Sequence, residues 1–207
     1  MSNLPPLVPE RAIARGSERS VFDWPEEPGL LIKVLHANAL RRDARGEMTD
    51  PVWCRERHSW LMARAYAART GRPPPVAEVI ARLPTAAGSL HVVRKVADCE
   101  GRIGPTLHRL AAENRVGEAE IDRLNALVAD LMASGIAVHD ARAANFVFEA
   151  GPGRAGRFVL VDGFGDRAVV PLRSWLPFLA RRRLSRALCR TARETGLAWD
   201  GSRFSRP

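Results

Sequence analysis

The stretch from 136 to 166 constrains this chain more than any other. It reads Ile136-Ala-Val-His-Asp-Ala-Arg-Ala-Ala-Asn-Phe-Val-Phe148, passes a Gly/Pro/Arg turn from Gly151 to Gly156, and resumes as Phe158-Val-Leu-Val-Asp-Gly-Phe-Gly-Asp166. Three short apolar runs, 136–138, 146–148 and 158–161, read as strands. Each adjoins a polar side chain: Asp140 after His139, Asn145 before Phe146, and Asp162 after Val161. Carboxylates and carboxamides at the ends of buried strands are costly to leave without partners. A small hairpin that brought the three together could turn two of them towards a divalent cation and let the third orient a hydroxyl. Taken singly, each could equally cap a turn.

A chain of 207 residues, 46% hydrophobic and 27% charged, suits one soluble domain, or one domain of two lobes, with a real core. No apolar run approaches the length of a membrane span, and the opening Met-Ser-Asn-Leu-Pro-Pro lacks a signal-peptide core, so a cytoplasmic protein is expected. Cys54, Cys99 and Cys189 are too dispersed for a disulfide framework or a cysteine metal site. The net charge of +9 is carried almost wholly by arginine; the lysines are Lys33 and Lys95 alone. Lys33 lies inside the apolar run Leu30–Leu35, after a strand-like segment from Ala12 to Trp24 and a Pro25–Gly29 turn. An ammonium in such a strand needs a partner. Lys95, in the strand candidate Leu90–Val96, alternates with apolar neighbours and is expected to face solvent without a role.

Two helices are legible. One runs from 51 to 70, with Trp53, Trp60, Leu61, Met62 and Ala65 as its apolar stripe, Pro51 in its first turn and Thr70-Gly71 at its end. The other runs from Gly117 to Ser134, with Ile121, Leu124, Leu127, Val128 and Leu131 at helical spacing and Gly135 as its cap. Residues 172–190 mix apolar side chains with five arginines between 181 and 190. They read as a terminal helix that docks its apolar face and leaves its arginines in water. The sharper alternative is peripheral contact with an anionic membrane.

The order of these features resembles the protein-kinase-like fold, whose pattern is His-x-Asp, an Asn five residues after the Asp, a hairpin, and Asp-Phe-Gly. His139-Asp140, Asn145 and Asp162-Gly163-Phe164-Gly165 carry the resemblance, with Leu31-Ile32-Lys33-Val34 upstream. Within that superfamily the chain is similar to the small bacterial PhoP-regulatory-network (YrbL-type) family, from about Gly16 to the Asp162 loop. The resemblance implies an α+β, protein-kinase-like two-lobe fold with a shortened C-lobe. Residues 1–96 would form the N-lobe, with glycine loop, lysine strand and αC-type helix. Residues 97–207 would form the C-lobe, with catalytic loop, metal loop and basic terminal helix.

The resemblance also implies roles. Gly16 and Ser17 would form a reduced glycine loop, and Lys33 would contact the phosphates of ATP. Glu56 would hold Lys33; read without the resemblance, it is a solvated helix glutamate beside Arg55 and Arg57. A nucleotide-binding hinge would lie near Val96–Gly101. Asp140 would accept the proton of a hydroxyl acceptor, Arg142 would stabilise the transferring phosphate, and Asn145 and Asp162 would hold Mg ions. His139 would support the loop through a backbone hydrogen bond, and Asp166 reads as a turn residue. The chain departs from the pattern in the direct His139-Asp140 step, in the glycine added after Asp162, and in having no recognisable activation segment. The expected function is an ATP- and Mg-dependent phosphotransferase acting on an unidentified hydroxyl, in a small molecule, a lipid or sugar headgroup, or a protein. The alternative is a pseudokinase, a nucleotide-binding regulator without turnover. Nucleic-acid binding is not expected, because aromatic residues are sparse and no recognition motif is present.

Overall fold

Short strands rich in apolar residues between 14 and 94 build an antiparallel sheet. The computed structural model describes residues 7–42, 48–85, 88–151, 154–165 and 177–207. Its first elements are β1 (Ala14–Arg15), β2 (Arg19–Asp23), β3 (Leu30–Leu35), β4 (Arg41–Arg42), β5 (Met48–Thr49), α1 (Pro51–Thr70), β6 (Val79–Thr85) and β7 (Gly88–Arg94). The sheet runs β1-β2-β3-β7-β6, and β4 and β5 pair separately. The architecture is a mixed helix-and-sheet one in two compact units, 1–57 with 78–95 and 58–77 with 96–207.

In the first unit, Phe22, Trp24, Ile32, Leu90 and Val92 form an apolar cluster. Those strand residues share one side of the pleat, so the other side carries Val21, Lys33 and His91, which are aligned across β2, β3 and β7. This second side buries Arg19, Lys33 and His91 and is where α1 begins. Asp50 starts that helix: its Oδ1 accepts the Trp53 N–H at 2.8 Å, and its Oδ2 lies 2.6 Å from Nε2 of His91. Burial pushes the Asp50 carboxyl up, but the His91 hydrogen bond, the Trp53 N–H, the His91 charge and Ser89 outweigh it and hold the pKa at about 2.

In the second unit the chain forms α2 (Leu107–Ala112), α3 (Glu118–Ser134), β8 (Phe146–Gly151), β9 (Arg154–Leu160), α4 (Pro177–Thr195), β10 (Ala198–Trp199) and β11 (Phe204–Ser205). The Gly117 N–H donates to Glu120 Oε2 at 3.0 Å as α3 begins, and Gly135 ends it in the left-handed region at φ 72°. Ile121, Leu124, Leu127, Val128 and Leu131 are buried, and α3 packs against β9 and β11. Along the described part of α4, Leu184, Leu188, Thr191 and Ala192 are buried, whereas Arg181, Arg182, Arg186, Arg190 and Arg193 are exposed. Residues 172–176 and Asp166 lie outside the described residues.

Several expectations need correction. Ile136–Val138 is no strand; it makes an isolated bridge, Val138 to Phe164, beside which the Gly165 N–H donates to the Ala137 carbonyl at 2.8 Å. The inward stripe of α1 is Val52, Glu56, Ser59, Trp60, Ala63 and Tyr66, while Leu61 and Ala65 are exposed. Glu56 and Tyr66 belong to that stripe because they have buried partners, Arg19 with Lys33 for the first and Asp130 for the second. Lys95 does not face solvent: β7 ends at Arg94, and the Lys95 ammonium is buried 2.6 Å from Asp23 Oδ1. Helix α2, capped by the Thr106 hydroxyl, and the β10–β11 hairpin were not anticipated at all.

Candidate functional site

The expected residues fall into two groups, one in each unit. In the first unit, Gly16, Ser17 and Glu18 form the turn of the β1–β2 hairpin, closed by the Gly16 N–H on the Arg19 carbonyl at 2.8 Å. The Ser17 carbonyl accepts from Asn38 Nδ2 at 3.1 Å, which ties the turn to the segment after β3. The Lys33 ammonium is buried within β3, as its apolar neighbours dictate, and lies 3.9 Å from Glu56 Oε2. That is ion-pair range but longer than a hydrogen bond.

Glu56 is not solvated: it is 1% exposed. Its closest cation is one the sequence reading missed, Arg19, whose Nη1 donates to Oε1 at 2.5 Å. One buried carboxylate thus sits between two buried cations, and a charge-assisted hydrogen bond offsets its desolvation. A signal for Arg19 existed. It stands two residues from Val21, the cross-strand neighbour of Lys33, and so shares the side of the sheet that carries Lys33.

In the second unit, backbone hydrogen bonds gather Asp140, Asn145 and Asp162. The Gly163 carbonyl accepts the N–H groups of both His139, at 2.8 Å, and Asp140, at 3.1 Å. Asn145 Nδ2 donates to the Asp140 carbonyl at 3.0 Å, and the Asn145 carbonyl accepts the Val161 N–H at 2.9 Å. Asp162 Oδ1 accepts the N–H of Gly163 at 2.6 Å. His139 contacts the Gly165 carbonyl through Nδ1 at 3.1 Å.

The glycine added after Asp162 has a physical reason. Gly163 has φ 79°, and a Cβ built there would lie 2.1 Å from the Asp140 carbonyl oxygen. Only glycine lets the two segments approach so closely in that conformation. Arg142 is exposed and clasps Asp140, with Nε 3.0 Å from Oδ1 and Nη2 2.8 Å from Oδ2. The pair is bidentate but open to solvent, so it adds little to the stability of the fold.

The donor set suits a hard cation. The Asn145 amide nitrogen is committed to the Asp140 carbonyl, so its oxygen is the end that can ligate, and Asp162 adds a carboxylate. An amide oxygen with one carboxylate fits magnesium, which keeps water and phosphate oxygens as its other ligands. Among the described residues no three His, Cys, Asp or Glu side chains cluster as an all-protein metal cage, and no helix is long and apolar enough to cross a membrane.

The family described as PhoP regulatory network protein YrbL matches this chain over residues 6–196. No curated protein matches it. Among solved structures, one titled "PpkA-294 apo form" aligns at 16% identity with a TM-score of 0.44, over 87% of this chain. The chain spans 61% of that structure's length, and the overlap is too loose to bear on fold or function.

Proposed function

The chain belongs to the PhoP regulatory network protein YrbL family, and we propose that it is an ATP- and magnesium-dependent phosphotransferase of protein-kinase-like fold with a shortened C-lobe. The observation that carries the reading is the knot around Gly163, which gathers a carboxylate suited to act as base, Asp140, with two oxygen donors, Asn145 and Asp162. Phosphoryl transfer needs alignment and charge neutralisation more than covalent help.

Each residue then has one task. Lys33 binds nucleotide phosphate oxygens, held by Glu56, while the Gly16-Ser17 turn covers the nucleotide as a reduced glycine loop. Asn145 and Asp162 hold magnesium, which when bound neutralises charge on the phosphates. Asp140 accepts the hydroxyl proton as the acceptor oxygen bonds to the γ-phosphorus and the bond to the ADP oxygen breaks. Arg142 leaves Asp140 for the phosphoryl oxygens, a move its exposure permits. The acceptor is a hydroxyl of a small molecule, a lipid or sugar headgroup, or a protein.

A second reading, a nucleotide-binding regulator without turnover, is favoured by one observation: Arg142 engages both oxygens of Asp140. Magnesium-dependent release of phosphate from ATP, with water as the stand-in acceptor, separates the two. Turnover that falls at least tenfold in Asp140→Asn, with ATP affinity kept, supports the phosphotransferase. ATP binding without turnover in the wild type supports the regulator.

A further inference from the structure

Helix α4 holds the 140–145 loop at two backbone points. The Thr191 hydroxyl donates to the Ala141 carbonyl, and Glu194 Oε2 accepts the Ala143 N–H at 2.8 Å. The two residues are three apart and so share one face of the helix. Ala141 and Ala143, on either side of Arg142, are both buried. Residues Ala143–Asn145 form a single 3-10 turn, closed by the Asn145 N–H on the Arg142 carbonyl at 2.9 Å. The opening N–H of such a turn has no partner within it. The Glu194 carboxylate supplies one, with the added strength of a charged acceptor. Its other oxygen, Oε1, is held by Arg190 Nε at 2.8 Å, which fixes the orientation of the carboxylate.

We propose that Glu194 is a positioning residue that aims Asn145 at magnesium and Arg142 at phosphate, an inference that rests on the phosphotransferase reading. The turn it caps begins beside Arg142 and ends on Asn145, whose amide nitrogen closes on the Asp140 carbonyl. Removing the cap lets the turn unwind and carries the Asn145 amide oxygen away from the cation. Lys33 stands on a different unit of the chain and keeps its own partners, so metal-free nucleotide binding survives.

The test compares ATP affinity by calorimetry with magnesium and with chelator, for the full-length wild type, Glu194→Ala and Glu194→Gln, at a temperature where each is folded. Losing an outer-shell partner typically weakens metal affinity about 10- to 100-fold. The gain in ATP affinity from magnesium should therefore drop about tenfold in Glu194→Ala while metal-free affinity holds. Gln, whose amide oxygen still accepts the Ala143 N–H, should recover most of it. Amide hydrogen exchange over 140–146 should quicken in the Ala variant and not in the Gln variant. Should Glu194→Ala fail to fold, Glu194→Asp, which withdraws the oxygen by one methylene, makes the same comparison with the charge kept. A variant with the wild-type magnesium gain overturns the role of Glu194 alone. A wild type whose ATP affinity ignores magnesium overturns the phosphotransferase reading and this inference together.

Discussion

The two groups of site residues are held by opposite means. In the first unit, side chains hold side chains: Glu56 carries Arg19 and Lys33, and Asp50 carries His91, all of them buried. In the second, the backbone does the holding, through the Gly163, Asp140 and Asn145 carbonyls, and the carboxylates of Asp140 and Asp162 stay half-buried. Buried ion pairs give little net stability, yet breaking one leaves an uncompensated charge. A backbone-built loop behaves differently: it tolerates side-chain changes at its chemical ends but not at the glycine on which it closes. The first group should therefore break when charge is removed, and the second when volume is added.

The largest effect follows from removing the shared carboxylate. Glu56→Ala removes the carboxylate that two buried cations share and should cost about 3–5 kcal/mol in chemical denaturation. A loss under about 1 kcal/mol would mean that the cluster is hydrated in solution. Next is Gly163→Ala, which adds a Cβ 2.1 Å from the Asp140 oxygen at a positive φ. The left-handed conformation alone costs roughly 1–2 kcal/mol, and the clash adds to it, so the melting temperature should fall by several degrees.

Acid should come next. The Asp50 carboxyl titrates near 2 in the folded chain, below its ordinary value of 3.8. A depressed carboxylate stabilises the fold above its unfolded pKa, and that contribution is lost as pH falls towards the folded one. About 2 kcal/mol should therefore disappear between roughly pH 4 and 2, and Asp50→Asn should remove that part of the slope. The smallest effect on stability belongs to a residue on which the proposed chemistry depends. Asp162→Ala removes the hydrogen bond that its half-buried carboxylate accepts from the Gly163 N–H, and should shift stability by about 1.5 kcal/mol.

The same contrast explains what the sequence could reveal. β3, α1 and α3 were legible to within a residue because period, caps and flanking turns agree. Asp140, Asn145 and Asp162 stood out because their spacing lies within one short stretch. What stayed hidden depends on pairs distant in sequence. Lys95 is buried because Asp23 is beside it, and the true face of α1 includes Glu56 because Arg19 and Lys33 meet it. Gly163 looked like a departure from a motif until the Asp140 carbonyl was seen against it. The β10–β11 hairpin has strands of two residues each, too short for any period to register, although Phe204 is fully buried and exchanges two hydrogen bonds with Asn125.

The most direct test of the central claim is thermal unfolding of the wild type and Asp162→Ala, with and without ATP and magnesium. A ligand at about 100 times its dissociation constant stabilises the folded state by roughly 2.7 kcal/mol. For a chain of this length that is a rise of about 5–10 °C. A rise that magnesium enlarges in the wild type, with that magnesium-dependent part absent in Asp162→Ala, is the predicted result. A wild type whose melting temperature ignores ATP and magnesium together, or a variant that responds as the wild type does, would contradict the nucleotide–metal site.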